Sequence, residues 1–243
     1  MSTLGIIPAR YASSRFPGKP LAIIQGKSMI QRVYEQAMQA TLLDAVVVAT
    51  DDERIFEHVA TFRGNVIMTD AGHLSGTDRC AEVTRQMPDY HRIVNIQGDE
   101  PFIAPEQIDR VVRPLLAQAP ITTLAKTITT SEALFNTNVV KVVCAANGQA
   151  LYFSRHPIPF VRAAPVAHWL QQATFYKHIG IYGFQREVLL SISELSPSAY
   201  ELAEALEQLR WLENGYSIIV ECTEHETVGI DTPEDLQKLL ETM

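Results

Sequence analysis

The sequence predicts an α/β fold built on a doubly wound, mainly parallel sheet. In the first half, short apolar segments rich in β-branched residues alternate with amphipathic segments of helical spacing. Such apolar runs are typical of parallel strands that helices cover on both faces. Repeated alternation of strand and helix then indicates a doubly wound sheet. From residue 121 the alternation loosens, so we predict a smaller mixed sheet and a loop excursion in the second half.

The first half is predicted from apolar runs and helical spacing. The run at 44–50 is apolar and β-branched, and the helix at 29–40 places Met29, Val33 and Ala37 on one side. Asp51 and Asp52 are suitable helix N-caps. The predicted elements are strand 4–7, a turn-linked piece at 22–27, helix 29–40, strand 44–50, a helix after Asp52, strand 65–68, helix 78–87, strand 92–97 and helix 105–118.

The second half contains shorter strands and one irregular stretch. Residues 155–169 contain three prolines and little periodicity, which predicts a long loop used for binding or assembly. Leucines spaced along 199–214 predict one amphipathic helix, and Thr232 before Pro233 predicts the start of the last helix. The predicted strands are 121–128, 139–144, 150–154, 178–183 and 217–222.

Composition narrows the class of protein. A chain of 243 residues with 47% hydrophobic content suits one domain, 1–243. The formal charge of −8 argues against nucleic acid as a general partner. Three widely spaced cysteines predict reduced thiols, not a disulfide framework or a zinc site. The first strand begins near Leu4, and no uncharged run approaches the ~18 residues of a membrane helix. We therefore expect a cytoplasmic protein without a membrane span.

Three cations follow the first strand. Arg10, Arg15 and Lys19 lie in a loop shaped by prolines and Gly18, at the expected carboxyl edge of the sheet. Such a group of cations suits a polyphosphate, although a solvated basic loop would have the same composition. Neither the P-loop glycine pattern nor the dinucleotide-binding pattern G-x-G-x-x-G follows the strand.

Two further stretches carry polar groups to predicted strand or helix ends. The loop before helix 78–87 offers free backbone N–H groups to an anion or a polar ring, or it is only an N-cap formed by Thr77 or Asp78. Asp99 follows strand 92–97, and Asp231 ends an apolar run in a similar position. Carboxylates at a strand end could hold Mg²⁺ against phosphates, and they are also common turn formers. We assign Glu100 no role beyond structure or solvation.

The opening loop also carries a family resemblance. Residues 7–21, Ile-Pro-Ala-Arg-Tyr-Ala-Ser-Ser-Arg-Phe-Pro-Gly-Lys-Pro-Leu, closely resemble the signature loop of the 3-deoxy-manno-octulosonate (Kdo) cytidylyltransferases, or CMP-Kdo synthetases. Six further blocks resemble that family in the same order and extend over almost the whole chain: 75–79, 95–101, 150–155, 178–182, 206–210 and 231–236.

The resemblance implies a function. The fold would be that of the nucleotide-diphospho-sugar transferases, with 1–120 as the mainly nucleotide-binding half and 121–243 as the sugar-acid and dimerisation half. The reaction would transfer CMP from CTP to the anomeric hydroxyl of Kdo, with release of pyrophosphate. It would serve lipopolysaccharide synthesis in the cytoplasm of a Gram-negative bacterium, with Mg²⁺ as cofactor and a homodimer as the assembly.

The resemblance also implies roles for particular residues. Catalysis is predicted for Arg10, Lys19 and Asp99, and Mg²⁺ binding for Asp99 and Asp231. The predicted nucleotide-binding residues are Ala9, Arg10, Arg15, Lys19, Ser75, Gly76, Thr77, Arg79 and Gln97. The predicted sugar-acid-binding residues are Arg155, His178, Tyr182, Glu207 and Gln208.

Two other classes are alternatives. One is a nucleotidyltransferase for a sugar phosphate or another sugar acid such as sialic acid, which would lack the later blocks around His178, Tyr182 and Glu207. The other is a dinucleotide-dependent oxidoreductase or a non-catalytic nucleotide-binding module. The missing G-x-G-x-x-G pattern argues against this second class.

Overall fold

A central sheet forms the frame of the molecule. The computed structural model describes residues 1–12, 15–226 and 229–242, and within them nine strands join one sheet. The strands in chain order are β1 (Ser2–Ala9), β2 (Ile23–Ile24), β3 (Lys27–Ser28), β4 (Ala45–Thr50), β5 (Val66–Met68), β6 (Tyr90–Asn95), β7 (Ile121–Thr127), β8 (Lys141–Cys144), β9 (Ala150–Ser154), β10 (Tyr176–Gln185) and β11 (Ile218–Cys222). β2 and β3 pair as a separate hairpin.

The strand order confirms the predicted doubly wound, mainly parallel sheet. It runs β11-β7-β10-β6-β1-β4-β5. β1 is parallel to β4 and β6, β4 to β5, and β7 to β11, whereas β10 is antiparallel to both β6 and β7. The parallel strands thus bring their carboxyl ends to one edge, where open α/β sheets bind ligands. β8 and β9 extend the sheet as an antiparallel pair beside β10, which confirms the mixed region of the second half.

Helices cover both faces of this sheet. They are α1 (Met29–Ala37), α2 (Glu53–Thr61), α3 (Gly76–Gln86), α4 (Pro105–Leu116), α5 (Ser131–Phe135), α6 (Trp169–Gln172), α7 (Arg186–Ile192), α8 (Ala199–Glu204), α9 (Gln208–Glu213) and α10 (Pro233–Thr242). Short 3₁₀ turns occupy Lys19–Leu21 and Val166–His168. None of the helices in the described ranges is long and apolar enough to cross a membrane.

Two buried clusters explain why the strands read as continuous apolar runs. Ile6 packs with α3, α7 and α9 on one face, and its neighbour Ile7 packs with α1, α2 and α4 on the other. Neither side chain is exposed to solvent. A strand covered on both faces needs apolar residues at successive positions, because successive side chains point to opposite faces.

The predicted helix 199–214 is wrong in one respect, because the chain breaks it in two. Ala205 adopts a left-handed backbone conformation, with φ of 51°, and ends α8 before α9 begins. Arg155 donates hydrogen bonds to the carbonyl oxygens of Glu204 and Ala205, at 2.6 and 3.2 Å. These carbonyl groups lose their helical partners at the break, so a side chain from a distant loop satisfies them. The break leaves Glu207 and Gln208 at the start of α9.

Candidate active site

An open cavity lies at the carboxyl edge of the sheet. Its volume is about 250 Å³. It is lined by Pro8, Ala9, Arg10, Arg15, Lys19, Pro20, His73, Ser75, Gly76, Arg79, Gln97, Gly98, Asp99 and Asp231. All the predicted nucleotide-binding residues except Thr77 therefore line one cavity, together with both predicted metal ligands.

The opening loop folds back on itself to place Lys19. The amide of Gly18 donates to the carbonyl oxygen of Tyr11 at 2.9 Å, and Gly18 has φ of 73°. A β-carbon at this position would lie 3.2 Å from the Tyr11 ring, so glycine meets both the conformational and the packing requirement. The guanidinium of Arg54 lies over the same Tyr11 ring, 3.3 Å from its centre.

Cations and carboxylates meet in the cavity. Nζ of Lys19 lies 2.7 Å from Oδ2 of Asp99 and 3.4 Å from Oδ1 of Asp231. Nη1 of Arg15 lies 3.1 Å from Oδ2 of Asp231. Arg10 is exposed on the cavity wall, and it forms no ion pair within the described ranges. The loop cations and the two carboxylates, which are distant in sequence, thus form one charged cluster.

The position of Asp231 depends on backbone contacts and on apolar packing. The amide of Ile230 donates to the carbonyl oxygen of Asp99 at 3.0 Å. The Ile230 side chain is fully buried against Ile24 and Met29. Thr232 then caps α10, as predicted, because its Oγ1 accepts from the amide of Asp235 at 3.2 Å.

The prediction that Asp231 lies at the end of a strand, as Asp99 does, is wrong. Residues 229–231 are not in a strand, and Val228, which belonged to the predicted apolar run, lies outside the described residues. Asp231 thus reaches the site by the Asp99–Ile230 contact and not as the end of a sheet strand.

The N-terminus of α3 forms the next part of the wall. Ser75 is its N-cap: Oγ of Ser75 accepts from the amide of Asp78 at 3.1 Å, and Oδ2 of Asp78 accepts from the amide of Ser75 at 3.2 Å. This reciprocal capping box corrects the cap predicted at Thr77 or Asp78. A β-carbon on Gly76 would lie 3.5 Å from Cγ of Pro8 and 3.6 Å from Nδ2 of Asn95, so α3 begins directly against the ends of β1 and β6.

Thr77 does not line this cavity, and Arg79 lines it with a side chain that is almost fully buried. Oγ1 of Thr77 donates to Oε2 of Glu207 at 2.8 Å, and Thr77 is buried. Arg79 is 3% exposed, donates to Oγ1 of Thr69 and lies 3.4 Å from Oδ1 of Asp51. Its guanidinium therefore has partners inside the protein, and its nucleotide-binding role stays a prediction.

Gln97 connects β6 to β10. Its Nε2 donates to the carbonyl oxygen of Gly180 at 2.8 Å. The next residue, Gly98, passes so close to β1 that a β-carbon would lie 2.8 Å from the carbonyl oxygen of Pro8. The chain after β6 is thus held between β1 and β10, with the side chain of Gln97 and the carboxylate of Asp99 at the cavity wall.

A second group of polar side chains lies on β10 and at the start of α9. The rings of His178 and Tyr182 have their centres 5.3 Å apart, and the Tyr182 ring packs edge-on against Trp211 at 5.0 Å. Burial lowers the pKa of His178 to about 3, so the imidazole is neutral at neutral pH. Burial, and then the charge of Glu207, raise the pKa of Tyr182 well above its usual range. Its hydroxyl has no hydrogen-bond partner among the described residues.

Glu207 and Gln208 are also buried beside this group. Burial raises the pKa of Glu207, an effect that hydrogen bonds from Thr77 and Ser75 oppose. Nε2 of Gln208 has no partner in the described part of the chain. Glu207 lines a second cavity, of about 440 Å³, that shares Ser75 with the first. His178, Tyr182, Glu207 and Gln208 thus lie close to the α3 end of the site without lining the first cavity.

Arg155 has a different environment. Its guanidinium donates to the carbonyl oxygens of Glu204 and Ala205, and also to the carbonyl oxygen of Thr137 at 3.1 Å. Its amide donates to the carboxylate of Glu204 at 2.9 Å. These contacts hold the turn that precedes Glu207, and the sugar-acid-binding role of Arg155 stays a prediction.

Glu100 is a buried acid beside the site. Burial, and then the neighbouring charge of Asp99, raise the pKa of Glu100 to about 8. Its Oε2 has no hydrogen-bond partner within the described ranges. Glu100 is therefore buried, and the alternative of a solvated residue is wrong.

Asn95 is a buried polar residue beside the start of α3 that the sequence analysis did not single out. It ends β6, pairs in register with Tyr182 and lies next to the position of Gly76. Its Oδ1 is buried and has no partner among the residues that the structure describes. An amide as the last residue of a buried strand was the available signal, because such a residue must find a hydrogen-bond partner or a ligand.

Comparisons with known proteins agree with this arrangement. The cytidylyltransferase family pattern matches residues 4–221. A 3-deoxy-manno-octulosonate cytidylyltransferase from Parabacteroides distasonis is 55% identical over 99% of this chain and 97% of its own length. One from Geobacter metallireducens is 49% identical over 100% of this chain and 98% of its own length.

Solved structures extend the comparison to the fold. A CMP:2-keto-3-deoxy-manno-octonic acid synthetase complexed with CTP superposes with a TM-score of 0.93 at 42% identity, covering 100% of this chain and 98% of that one. A 4-diphosphocytidyl-2C-methyl-D-erythritol synthase from Anaerococcus prevotii has a TM-score of 0.63 at 14% identity, over 99% of this chain and 98% of that one, and shares the fold alone. The chain belongs to the 3-deoxy-manno-octulosonate cytidylyltransferases, a family of cytidylyltransferase enzymes.

Proposed function

We propose that this protein transfers CMP from CTP to the anomeric hydroxyl of Kdo and releases pyrophosphate. The observation that carries the proposal is the single cavity in which Arg10, Arg15 and Lys19 face Asp99 and Asp231. A nucleotidyl transfer needs both signs of charge there, because positioned charge supplies most of the stabilisation of its transition state. The full-length likeness to a synthetase complexed with CTP supports the choice of nucleotide.

The loop cations would bind the triphosphate. Arg10 has no ionic partner in the described part of the chain, so its guanidinium is available to phosphate oxygens without loss of an internal ion pair. Lys19 has a side chain only 15% exposed, at the inner wall, where its ammonium would act as a point charge. Lys19 and Arg15 would exchange their carboxylate partners for phosphate oxygens.

Asp99 and Asp231 are suited to hold Mg²⁺. Both carboxylates contact the same ammonium group, so they lie close enough to share one cation. Carboxylate oxygens are ligands that Mg²⁺ prefers, and a site with two protein carboxylates leaves positions for phosphate oxygens and water. Bound there, Mg²⁺ would neutralise charge on the triphosphate. Without a metal ion the two carboxylates would repel the triphosphate, and bound Mg²⁺ would remove this repulsion.

The start of α3 and Gln97 would recognise the nucleotide. The Ser75 and Asp78 side chains cap one another, and the first turn of α3 still has backbone N–H groups free for a polar ring or an anion. Gly76 lines the cavity and presents no side chain to a ligand. Thr77, bonded to Glu207, would connect this wall to the sugar-acid side.

The sugar acid would lie toward β10 and α9. Kdo presents several hydroxyl groups and one carboxylate, so it needs hydrogen-bond donors and acceptors. Tyr182 and Gln208 have buried polar atoms without partners among the described residues, and Glu207 is a buried acceptor. Binding would supply the missing partners and would recover the cost of burying these groups.

In the reaction, the anomeric hydroxyl of Kdo would lose its proton to water, and its oxygen would form a bond to the α-phosphorus of CTP. The bond between that phosphorus and the bridging oxygen of pyrophosphate would break, and pyrophosphate would leave with the electron pair. Lys19 and Arg10 would stabilise the negative charge that develops on the leaving group. The chain would otherwise act by holding the two substrates in line.

Pyrophosphate release tests the proposed function. We expect release with CTP, Kdo and Mg²⁺, much less with other nucleotides, and little when Kdo is replaced by sugar 1-phosphates or sialic acid. Equal turnover with a sugar 1-phosphate, or none with Kdo, would reject the proposal. A titration with nicotinamide cofactors tests the oxidoreductase alternative, and we expect no binding.

The proposal extends to the cellular role. CMP-Kdo would be supplied to lipopolysaccharide synthesis, and the enzyme would act as a cytoplasmic homodimer. Light scattering after size-exclusion chromatography tests the assembly, with a mass of about twice 27.1 kDa expected.

A further inference from the structure

The strand that carries His178 and Tyr182 contains a bulge. On β10, Ile179 pairs with Leu124 of β7 and Tyr182 pairs with Thr123, so Gly180 and Ile181 are inserted between successive pairs. The ring centres of His178 and Tyr182, on either side of this bulge, lie 5.3 Å apart.

Side chains contact the backbone carbonyl groups of this bulge. Gly180 accepts from Nε2 of Gln97 at 2.8 Å. Oγ1 of Thr123 lies 3.1 and 2.8 Å from the carbonyl oxygens of Ile179 and Ile181. Thr123 is fully buried, so its hydroxyl has no access to water. The single hydrogen of this hydroxyl can be donated to one of the two carbonyl oxygens at a time.

The same hydroxyl contacts His178. Oγ1 of Thr123 lies 2.9 Å from Nε2 of His178. A threonine hydroxyl has one hydrogen and two lone pairs, whereas a carbonyl oxygen only accepts. If the hydrogen of Thr123 is donated to Ile179 or Ile181, the hydroxyl oxygen accepts from His178 and Nε2 carries the ring proton.

The protonation state of the other ring nitrogen, Nδ1, follows from that of Nε2. His178 is neutral at neutral pH, because burial lowers its pKa to about 3. A neutral ring has one N–H group, so protonation of Nε2 leaves a lone pair on Nδ1. Within the described ranges, nothing bonds to Nδ1. The ring is held between Phe153, at 5.1 Å, and Tyr182, whose buried hydroxyl also has no partner in the described part.

We propose that Thr123 holds His178 as the Nε2–H tautomer, so that Nδ1 accepts a hydrogen bond from a hydroxyl group of the sugar acid. The inference rests on the proposed function. Thr123 is a positioning residue that acts through His178. A neutral acceptor selects a hydroxyl donor, and it cannot pair with the sugar's carboxylate, which has no proton to donate. The carboxylate must therefore bind another part of the pocket.

The tautomer can be measured without substrate. Long-range ¹H–¹⁵N correlation spectra distinguish the protonated from the unprotonated ring nitrogen, and His178→Asn assigns the signal. We expect Nε2–H and an unprotonated Nδ1 in the wild-type protein at pH 7, and a shift of the Nδ1 signal on addition of Kdo. An Nδ1–H tautomer, an imidazolium ring, or an Nδ1 signal unmoved by saturating Kdo would overturn the proposal.

A matched pair of threonine variants tests the positioning role. Thr123→Val keeps the shape and removes the hydroxyl, whereas Thr122→Val removes a buried hydroxyl that donates to the carbonyl oxygen of Val111 at 2.7 Å. Both lose a buried hydrogen bond of β7, but only Thr123 contacts His178. We expect Thr123→Val to mix the tautomers and to raise KM for Kdo about tenfold, with KM for CTP unchanged. Thr123→Ser should restore both. Equal KM values for Kdo in the two valine variants would contradict the role of Thr123.

A histidine pair keeps the inference testable if Thr123→Val does not fold. An asparagine oxygen can occupy the place of Nδ1, and a glutamine amide that of Nε2. We expect His178→Asn to keep a lower KM for Kdo than His178→Gln, and the reverse order would overturn the proposal. Absence of any turnover with Kdo in the wild-type protein would reject the proposed function, whereas the substrate-free tautomer would still be measurable.

Discussion

The ammonium nitrogen of Lys19 lies 2.7 Å from Oδ2 of Asp99, although 80 positions separate the two residues in sequence. The same nitrogen lies 3.4 Å from Oδ1 of Asp231. Phosphate oxygens would compete for Lys19, and a divalent cation would compete for the carboxylates. Phosphate binding would therefore replace Asp99 as the partner of Lys19, and metal binding would replace Lys19 as the partner of Asp99.

Lys19→Met should lower kcat/KM by about 10²-fold or more, because developing charge on the phosphates loses a placed partner. Mg²⁺ affinity should not fall, since the two carboxylates lose a competing cation. Steady-state pyrophosphate release and a metal titration measure the two effects. The control is Lys27→Met, which removes an exposed lysine paired with Glu35 and should leave both unchanged. Near-normal kinetics of a folded Lys19→Met protein would mean that the loop is only a solvated turn.

Asp99→Asn and Asp231→Asn should each remove most of the activity and shift the Mg²⁺ dependence to higher concentrations. Amide oxygens are poorer ligands than carboxylates for a hard cation. Activity measured against Mg²⁺ concentration tests each residue separately. Glu234→Gln, an exposed change in the first turn of α10, is the matched control for loss of one negative charge. An unchanged Mg²⁺ titration for either aspartate variant would remove that residue from the metal site.

The parts of the site that the sequence predicted are those that depend on local chain pattern. Lys19 and Asp99 follow buried strands, and the carboxyl ends of parallel strands meet at one edge, so their proximity follows from the fold class. Asp231 was predicted to approach them, but through a strand that is absent from the described residues. Its actual position depends on the contact of Ile230 with Asp99, which no local pattern encodes.

The missed features depend on partners distant in sequence. The leucine spacing of 199–214 fits an unbroken helix, and the break becomes stable because Arg155 binds the freed carbonyl groups. From the sequence, Thr123 is an ordinary β-branched strand residue. Its contacts depend on a bulge in β10, which is another strand. Long-range hydrogen bonds of this kind have no sequence period to reveal them.

Asn95→Leu should separate binding from stability. Removal of a buried amide whose oxygen has no partner among the described residues should leave the free energy of unfolding unchanged or raise it. If substrate supplies that partner, kcat/KM should fall about tenfold or more. Urea denaturation and steady-state kinetics measure the two quantities. Loss of stability without loss of activity would make Asn95 a purely structural residue.

His178 should make the protein acid-sensitive. Burial lowers its pKa from 6.5 to about 3, so between these pH values the unfolded chain binds a proton that the folded protein does not. The contribution of His178 to stability is therefore fully present above pH 6.5 and is lost as the pH decreases through this window. One pH unit corresponds to about 1.4 kcal/mol, so from pH 6.5 to 5 the wild-type protein should lose about 2 kcal/mol more than His178→Asn. Urea denaturation across this interval tests the difference. His91→Asn, at an exposed position, controls for removal of a histidine, and parallel curves for wild type and His178→Asn would contradict the prediction.

Arg155→Met should act through the turn that precedes Glu207. The guanidinium donates to the carbonyl oxygens of Thr137, Glu204 and Ala205, and hydrogen bonds from a charged donor are the stronger kind. We expect the free energy of unfolding to fall by about 3 kcal/mol. KM for Kdo should rise, because Glu207 and Gln208 begin the helix that this turn positions, while KM for CTP stays within about threefold. Arg162→Met removes an exposed arginine of the same loop excursion and should change neither quantity. If Arg155→Met raised KM for Kdo at full stability, the guanidinium would contact the sugar acid directly, as its predicted role requires.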